Sequence, residues 1–190
     1  MHCTRSLSGM SGQTESEVKP NLVLRITPID VNATLELRQS VLWPSLSIAD
    51  VRLAEDDSGV HFGAFVPQHE KPVAVISLFD EPLPGQHLVI CGNDSPSQIK
   101  SARFRKFACD LMHQNRGIGT HLLLYAAEAA RSTLGASIIW CDARTSSSAW
   151  YKKRGMIEFG DPFYKGDVKY IRMKMSLDAD TCKTSAYNAI

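Results

Sequence analysis

Gly117 and Gly119 stand at the start of a run, Ile118 to Arg131, whose other residues favour helix. Glycine is a poor helix residue, so its placement at this junction calls for a local cause. A helix N-terminus carries roughly half a positive charge and unpaired backbone N–H groups. Glycine there lets a ligand reach the main chain. The stretch Gln114-Asn115-Arg116-Gly117-Ile118-Gly119-Thr120 thus has the chemistry of an anion cradle, with a ligand-free flexible helix start as the alternative. A P-loop would need lysine after its last glycine, and none follows here. A dinucleotide fingerprint would need a third glycine, but position 122 is Leu. Asp142 does fall about 20 residues on, where that fingerprint places a ribose-binding acid. Only about fifty residues remain after it, too few for the second half of such a fold.

Other reactive residue types suggest less. Cys109 next to Asp110, with His113 nearby, could carry an acyl group. A cysteine in a strand is more simply a small buried hydrophobe. His113 and His121 are eight apart, not the four of a helical ligand pair, and no His-Glu-x-x-His occurs, so no metal is predicted. Arg103 to Lys106 is the densest basic run, but a strand would send its charges two ways, which predicts no nucleic-acid partner.

These residues need elements to position them. Leu22 to Thr27 reads as a strand closed by Pro28, and Asp30 to Trp43 as a helix capped by Asn32 or Thr34 and ended by Pro44. Ser47 to Leu53 suits a short turn or helix. Val60 to Val66 and Pro72 to Phe79 read as two strands joined by a hairpin-sized loop. Asp80 to Gln98 is rich in Pro, Gly, Asp and Ser and reads as a long loop, with a short strand at His87 to Cys91. The next strand alternates from Ala102, and the alternation slips at Phe107, which predicts a β-bulge. In the following helix Ile118, Leu122, Tyr125, Ala126 and Ala129 form one face, and Gly135 suits its C-terminus. Ala136 to Asp142 reads as a buried strand, and Ser146 to Gly155 as a second helix. The chain then closes with two strands, of which Val168 to Met175 is the last. The order predicts an α/β (α+β) fold with a mixed sheet.

With 190 residues, 44% of them hydrophobic, the chain suits one domain with a real core. Lys and Arg number 21 against 20 acids, so nothing draws it generally to nucleic acid or membrane. No stretch approaches roughly 18 consecutive apolar residues. The first twenty residues lack the apolar run of a secretory signal. Five scattered cysteines, with no Cys-x-x-Cys, fit a reducing compartment, hence the cytoplasm, with the nucleus also open.

Gln114-Asn115-Arg116-Gly117-Ile118-Gly119 resembles the acetyl-CoA motif of the GCN5-related N-acetyltransferases, the GNAT family. The stretch Trp140 to Met156, with Trp150-Tyr151 and Gly155, resembles that family's second block. The resemblance spans about residues 22 to 177, and "VLWP" and "HFGAFV…PVAVISLF" resemble a subgroup of small single-domain members. It implies a mostly antiparallel sheet with splayed central parallel strands and helices on both faces. It also implies a domain over 21–178, between flexible segments 1–20 and 179–190.

The resemblance further implies roles. Backbone N–H groups of Arg116, Gly117, Ile118, Gly119 and Thr120 would hold the pyrophosphate of coenzyme A, with Gln114 and Asn115 in the same cofactor-binding set. The pantetheine arm would lie between the splayed strands like an added strand. Ala108 and Cys109 would lie at the thioester, where a backbone N–H could stabilise the oxyanion. Asp142 stands where the family often has Asn, and Tyr151 would serve as general acid toward the leaving thiolate. Asp110 is the acid nearest the thioester and the candidate base, with Asp80 and Glu81 on a neighbouring strand. The implied activity is direct acetyl transfer from acetyl-CoA to an amine of a small molecule or peptide, by a monomer or homodimer with no membrane partner. A non-catalytic acyl-CoA sensor is the alternative. Val41–Arg52, Asp80–Gln98 and Phe159–Asp167 would shape the acceptor pocket.

Overall fold

Seven runs of alternating or continuous apolar residues pair into a single sheet. A computed structural model describes residues 23–85 and 99–177. Its strands are β1 (Arg25–Ile29), β2 (Val60–Phe65), β3 (Ala74–Asp80), β4 (Ser101–Cys109), β5 (Ile138–Arg144), β6 (Ile157–Lys165) and β7 (Val168–Ser176). The order across the sheet is β1-β2-β3-β4-β5-β7-β6. All pairings are antiparallel except β4 with β5. The expected mixed, mostly antiparallel sheet is present. The strand expected at His87 to Cys91 lies outside the described residues.

Pro28 does not close β1 but lies within it, opposite Phe62. β1 is an edge strand, where a missing N–H need not break a ladder. The helix that follows is also more particular than its pattern. Here α1 (Asn32–Leu37) continues as a π-turn over Arg38–Leu42. Neither expected residue caps it; Asp30 accepts from the Asn32 N–H at 2.8 Å, and the Thr34 hydroxyl turns back to the Val31 carbonyl at 2.7 Å. The last strand pair is a hairpin in which β7, not β6, lies beside β5.

The helix α2 (Ile118–Leu134) covers one face of the sheet. Ile118, Leu122, Leu123, Ala126, Ala127 and Ala130 are its buried residues, against Phe62, Ile76, Leu78, Phe104, Ile139 and Cys141. Alanine at three of these positions lets the helix approach closely. The buried stripe is rotated from the expected one: Tyr125 is 38% exposed and meets Phe62 edge-on. Gly135 ends the helix at φ +64°, and the Ala136 N–H reaches back to the Ala130 carbonyl at 3.0 Å.

On the other face α1 places Leu37 against Val75 and Ala108. Beside it Arg38 is fully buried. It donates to both carboxylate oxygens of Asp56, at 2.6 and 3.0 Å, and to the Ser77 hydroxyl at 2.7 Å. Because Ser77 accepts from arginine, its own proton points to His61 Nδ1, 2.8 Å away. His61 Nε2 must then carry the hydrogen that it donates to the Asp56 carbonyl at 3.0 Å. This neutral tautomer has no room for a second proton, and burial pushes the imidazole below its ordinary value of 6.5. The unfolded chain therefore binds that proton first. Stability is expected to be full above about pH 6.5 and to fall as pH drops below it, with urea midpoints as readout. The slope should shrink in His61→Gln.

Candidate active site

The central parallel pair is short. β4 and β5 pair only at Ser101↔Ile138, Ala102↔Ile139 and Arg103↔Trp140. From Phe104 onward β4 keeps β3 on one side alone, while Cys141 to Arg144 of β5 pair only with β7. A wedge opens between two strand edges, each with main-chain groups free for a ligand. A bulge follows on the open stretch of β4. Ala108 faces Val75 and Arg105 faces Ser77, so Lys106 and Phe107 together oppose Ile76. Lys106 takes φ +52° to make the turn. The expected bulge is thus present, and so is the expected splay.

One face of the wedge is aromatic. Ring centroids lie 6.2 Å apart for Phe104 and Phe107, 5.7 Å for Phe107 and Trp150, 5.0 Å for Trp150 and Tyr151, and 5.9 Å for Phe104 and Tyr151. Trp150 and Tyr151 come from the short helix α3 (Ser148–Lys152), which Gly155 follows at φ +84°. Tyr151 is set among these rings and near the Cys141 thiol. Burial, with that neighbour, pushes its phenol well above the ordinary value of 10. Burial, with the Asp110 charge, likewise pushes the Cys109 thiol up to about 11, which disfavours the thiolate at neutral pH.

The cradle follows β4 directly. Asp110 caps the turn Leu111–His113, accepting from the Met112 N–H at 2.8 Å and from His113 Nδ1 at 3.1 Å. The Gln114 amide donates to the Cys109 carbonyl at 3.1 Å. Asn115 at φ +60° and Gly117 at φ +82° then bend the chain into α2. The first bond at that end runs from the His121 N–H to the Gly117 carbonyl at 3.1 Å, so the N–H groups of Ile118, Gly119 and Thr120 precede it. Arg116 and Gly117 are exposed. A Cβ on Gly119 would meet Phe107 at 3.4 Å and Trp150 at 3.5 Å, so anything larger than alanine would press into the aromatic cluster.

Two cradle residues carry no signal in the sequence. Arg154 donates from Nε to the Thr120 hydroxyl at 2.8 Å and from Nη1 to the Trp150 carbonyl at 2.7 Å, with its guanidinium 3.5 Å from the Trp150 ring centroid. It adds a fixed cation to the positive end of α2. His121 Nδ1 donates to the Gly117 carbonyl at 3.0 Å. Both contacts are made by the fold, and the motif spacing alone could not point to Arg154.

Two expected site residues are otherwise engaged. Asp110 was the candidate base, but its carboxylate is held below the usual range, first by the hydrogen bond from His113 and also by the Met112 and His113 N–H groups. A carboxylate so satisfied is a weak proton acceptor and a good cap. Asp142 was placed in the cofactor-binding set. Its carboxylate is instead clamped by Arg103, by Lys165 at 2.6 Å and by Arg172 at 3.7 Å, on the sheet face away from α2. Ala108 is buried against Leu37 and Val75, with its main chain at the open edge.

The unpaired strand edges, the free helix N–H groups and the glycine at close approach together fit the diphosphate and amide arm of a coenzyme A thioester. Among the described residues no helix is long and apolar enough to cross a membrane. The chain is 27% identical over 143 residues, 74% of its length, to 87% of the uncharacterized N-acetyltransferase YitI of Bacillus subtilis (strain 168). Its fold is similar to that of a putative N-acetyltransferase from Lactobacillus plantarum, with a TM-score of 0.63 at 18% identity over 82% of this chain and 99% of that one. It is also similar to a GNAT acetyltransferase from Elizabethkingia anophelis with acetyl-CoA bound, with a TM-score of 0.55 at 17% identity over 80% and 97% of the two chains. Residues 31–156 match the acetyltransferase (GNAT) family, and the chain belongs to that family of acetyl-CoA-dependent acyltransferases.

Proposed function

We propose that the chain moves the acetyl group of acetyl-CoA directly to a primary amine of a small molecule or peptide, within a domain over 21–178. The observation that carries this reading is the wedge between β4 and β5, with the N-terminus of α2 at its mouth and Tyr151 on its wall. Acetyl-CoA supplies an acyl group on a thiolate leaving group. The N–H groups of Arg116 to Thr120 and the Arg154 guanidinium hold its diphosphate. Gln114 and Asp110 act on the same loop from within, fixing its path from Cys109 to Asn115. Free backbone along Ala108 and Cys109 pairs with the pantetheine amides, and an N–H there faces the carbonyl oxygen as it gains charge. Tyr151 stays protonated across the working pH and gives its O–H proton to the leaving sulfur, while the attacking neutral amine loses its surplus proton to water, which restores the phenol. Asp142 anchors the sheet through Arg103, Lys165 and Arg172.

Two measurements test this. Purified chain with acetyl-CoA and a panel of amines should release free thiol; no release from any amine would refute transfer. Acetyl-CoA at 100 times its Kd should add roughly 2.7 kcal/mol to stability in a thermal shift. Gly119→Val should remove most of that gain, because a branched side chain meets Phe107 and Trp150 and displaces the helix start. An undiminished shift in this variant would place the diphosphate elsewhere.

A further inference from the structure

The bulge in β4 puts two consecutive residues, Arg105 and Lys106, on the sheet face opposite α2, because Lys106 and Phe107 share one partner position. Their surroundings differ. Arg105 pairs with Glu55 and with Glu81, the latter at 2.7 Å. Lys106 has no carboxylate within ion-pair distance among the described residues. Its Nζ lies 3.9 Å from the centroid of the Trp43 ring. The charges that act on it are Arg38, Lys165 and Arg105, all repulsive, with Glu55 as the attractive one. None of the nearby acids is free to turn to it: Asp56 holds Arg38, Asp142 holds Lys165, and Glu55 holds Arg105. The Nε–H of Arg105 is buried and also lacks a hydrogen-bond partner. The Nε–H groups of Arg38, Arg103 and Arg172 also lack hydrogen-bond partners, against one carboxylate oxygen, Asp142 Oδ1, so donors outnumber acceptors among the described unpartnered groups and Lys106 is a cation without a carboxylate.

Lys106 also sits on the open stretch of β4, three residues past Arg103, its last pair with β5, and next to Phe107, Ala108 and Cys109. Trp43 comes from the segment just after α1, so the pair lies on the side of the wedge away from Trp150 and Tyr151. We infer that Lys106 and Trp43 form a subsite for an acceptor amine that itself carries a carboxylate. This rests on the transfer reading above and adds the substrate class. A half-buried ammonium with only a ring for company gains most from an anion, and an aromatic wall beside it suits an acceptor with an apolar body. Burial and the three neighbouring cations pull the Lys106 amine down to about 8, so it is largely charged at pH 7 and loses that charge above pH 8.

The test uses free-thiol release with ω-amino acids whose amine and carboxylate are separated by four or more methylenes, each against its own amide, so that the two acceptors differ in charge and little in amine basicity. At pH 7 the best acid should exceed its amide about tenfold or more in kcat/KM. Lys106→Gln should bring the ratio to about one, and Lys106→Arg should keep most of the preference. The ratio within one preparation cancels any loss of folded protein. KM for the acid should rise above pH 8 while KM for the amide does not. Equal use of acid and amide by the wild-type chain overturns this inference and leaves amine transfer standing. So does a preference that survives in Lys106→Gln. No thiol release from any acceptor overturns both.

Discussion

Tyr151→Phe is expected to lower kcat about 10²- to 10⁴-fold, the range for loss of a positioned proton donor. The Kd for acetyl-CoA should stay within about twofold. The phenol stands among Phe104, Trp150 and the Cys141 thiol, and burial keeps it protonated. Removing one oxygen leaves the ring and its packing in place, so binding survives while charge on the leaving sulfur loses its partner. Single-turnover thiol release and a separate titration of coenzyme binding read the two quantities. A chain that only senses acyl-CoA would show no change in either. Equal turnover by the variant and the parent would remove Tyr151 from the chemistry.

Asp56→Ala is expected to cost about 3–5 kcal/mol, read as a fall in the urea midpoint, because it strands a charge where no water reaches. Arg38 and Asp56 have side chains with 0% exposure. The carboxylate takes two arginine bonds and the Leu53 N–H at 2.8 Å. Burial alone would raise the Asp56 pKa, yet the Arg38 hydrogen bond, the Leu53 N–H and the arginine charge together bring it below 3.8. The double variant Arg38→Met/Asp56→Leu should lose less, since neither charge remains without a partner. By contrast the Lys71–Glu36 pair is 76% and 62% exposed, and its loss should cost no more than about 1 kcal/mol. The effect should reach function as well. Arg38 adjoins Leu37, which packs on Ala108, so loosening the π-turn loosens the strand edge proposed to hold the coenzyme.

Much of this is legible in the residues alone because it is local. Gly117 and Gly135 announce the two ends of α2 through backbone conformations that other residues resist. The slip of alternation at Phe107 announces the bulge, since one extra residue in a strand shifts every later side chain to the other face. The order of strands and helices, read with the two glycine-bearing blocks, leads to the family.

The sequence by itself determined the order of the elements and that a glycine-rich helix start follows a bulged strand, and its family resemblance put Tyr151 in the second block. Only the tertiary structure decided what the charged residues do. Asp110 and Asp142 look alike in one dimension, as acids beside candidate site residues. Folding turns the first into a cap and gives the second to Arg103, Lys165 and Arg172, which lie on three different strands. Arg154 reaches Thr120, and Arg38 reaches Asp56 and Ser77, across gaps that no local period encodes. Backbone preference acts over a few neighbours and so is written in the order of residues. A charge finds its partner through space, and in the interior that choice is settled by which groups the sheet brings within hydrogen-bonding reach.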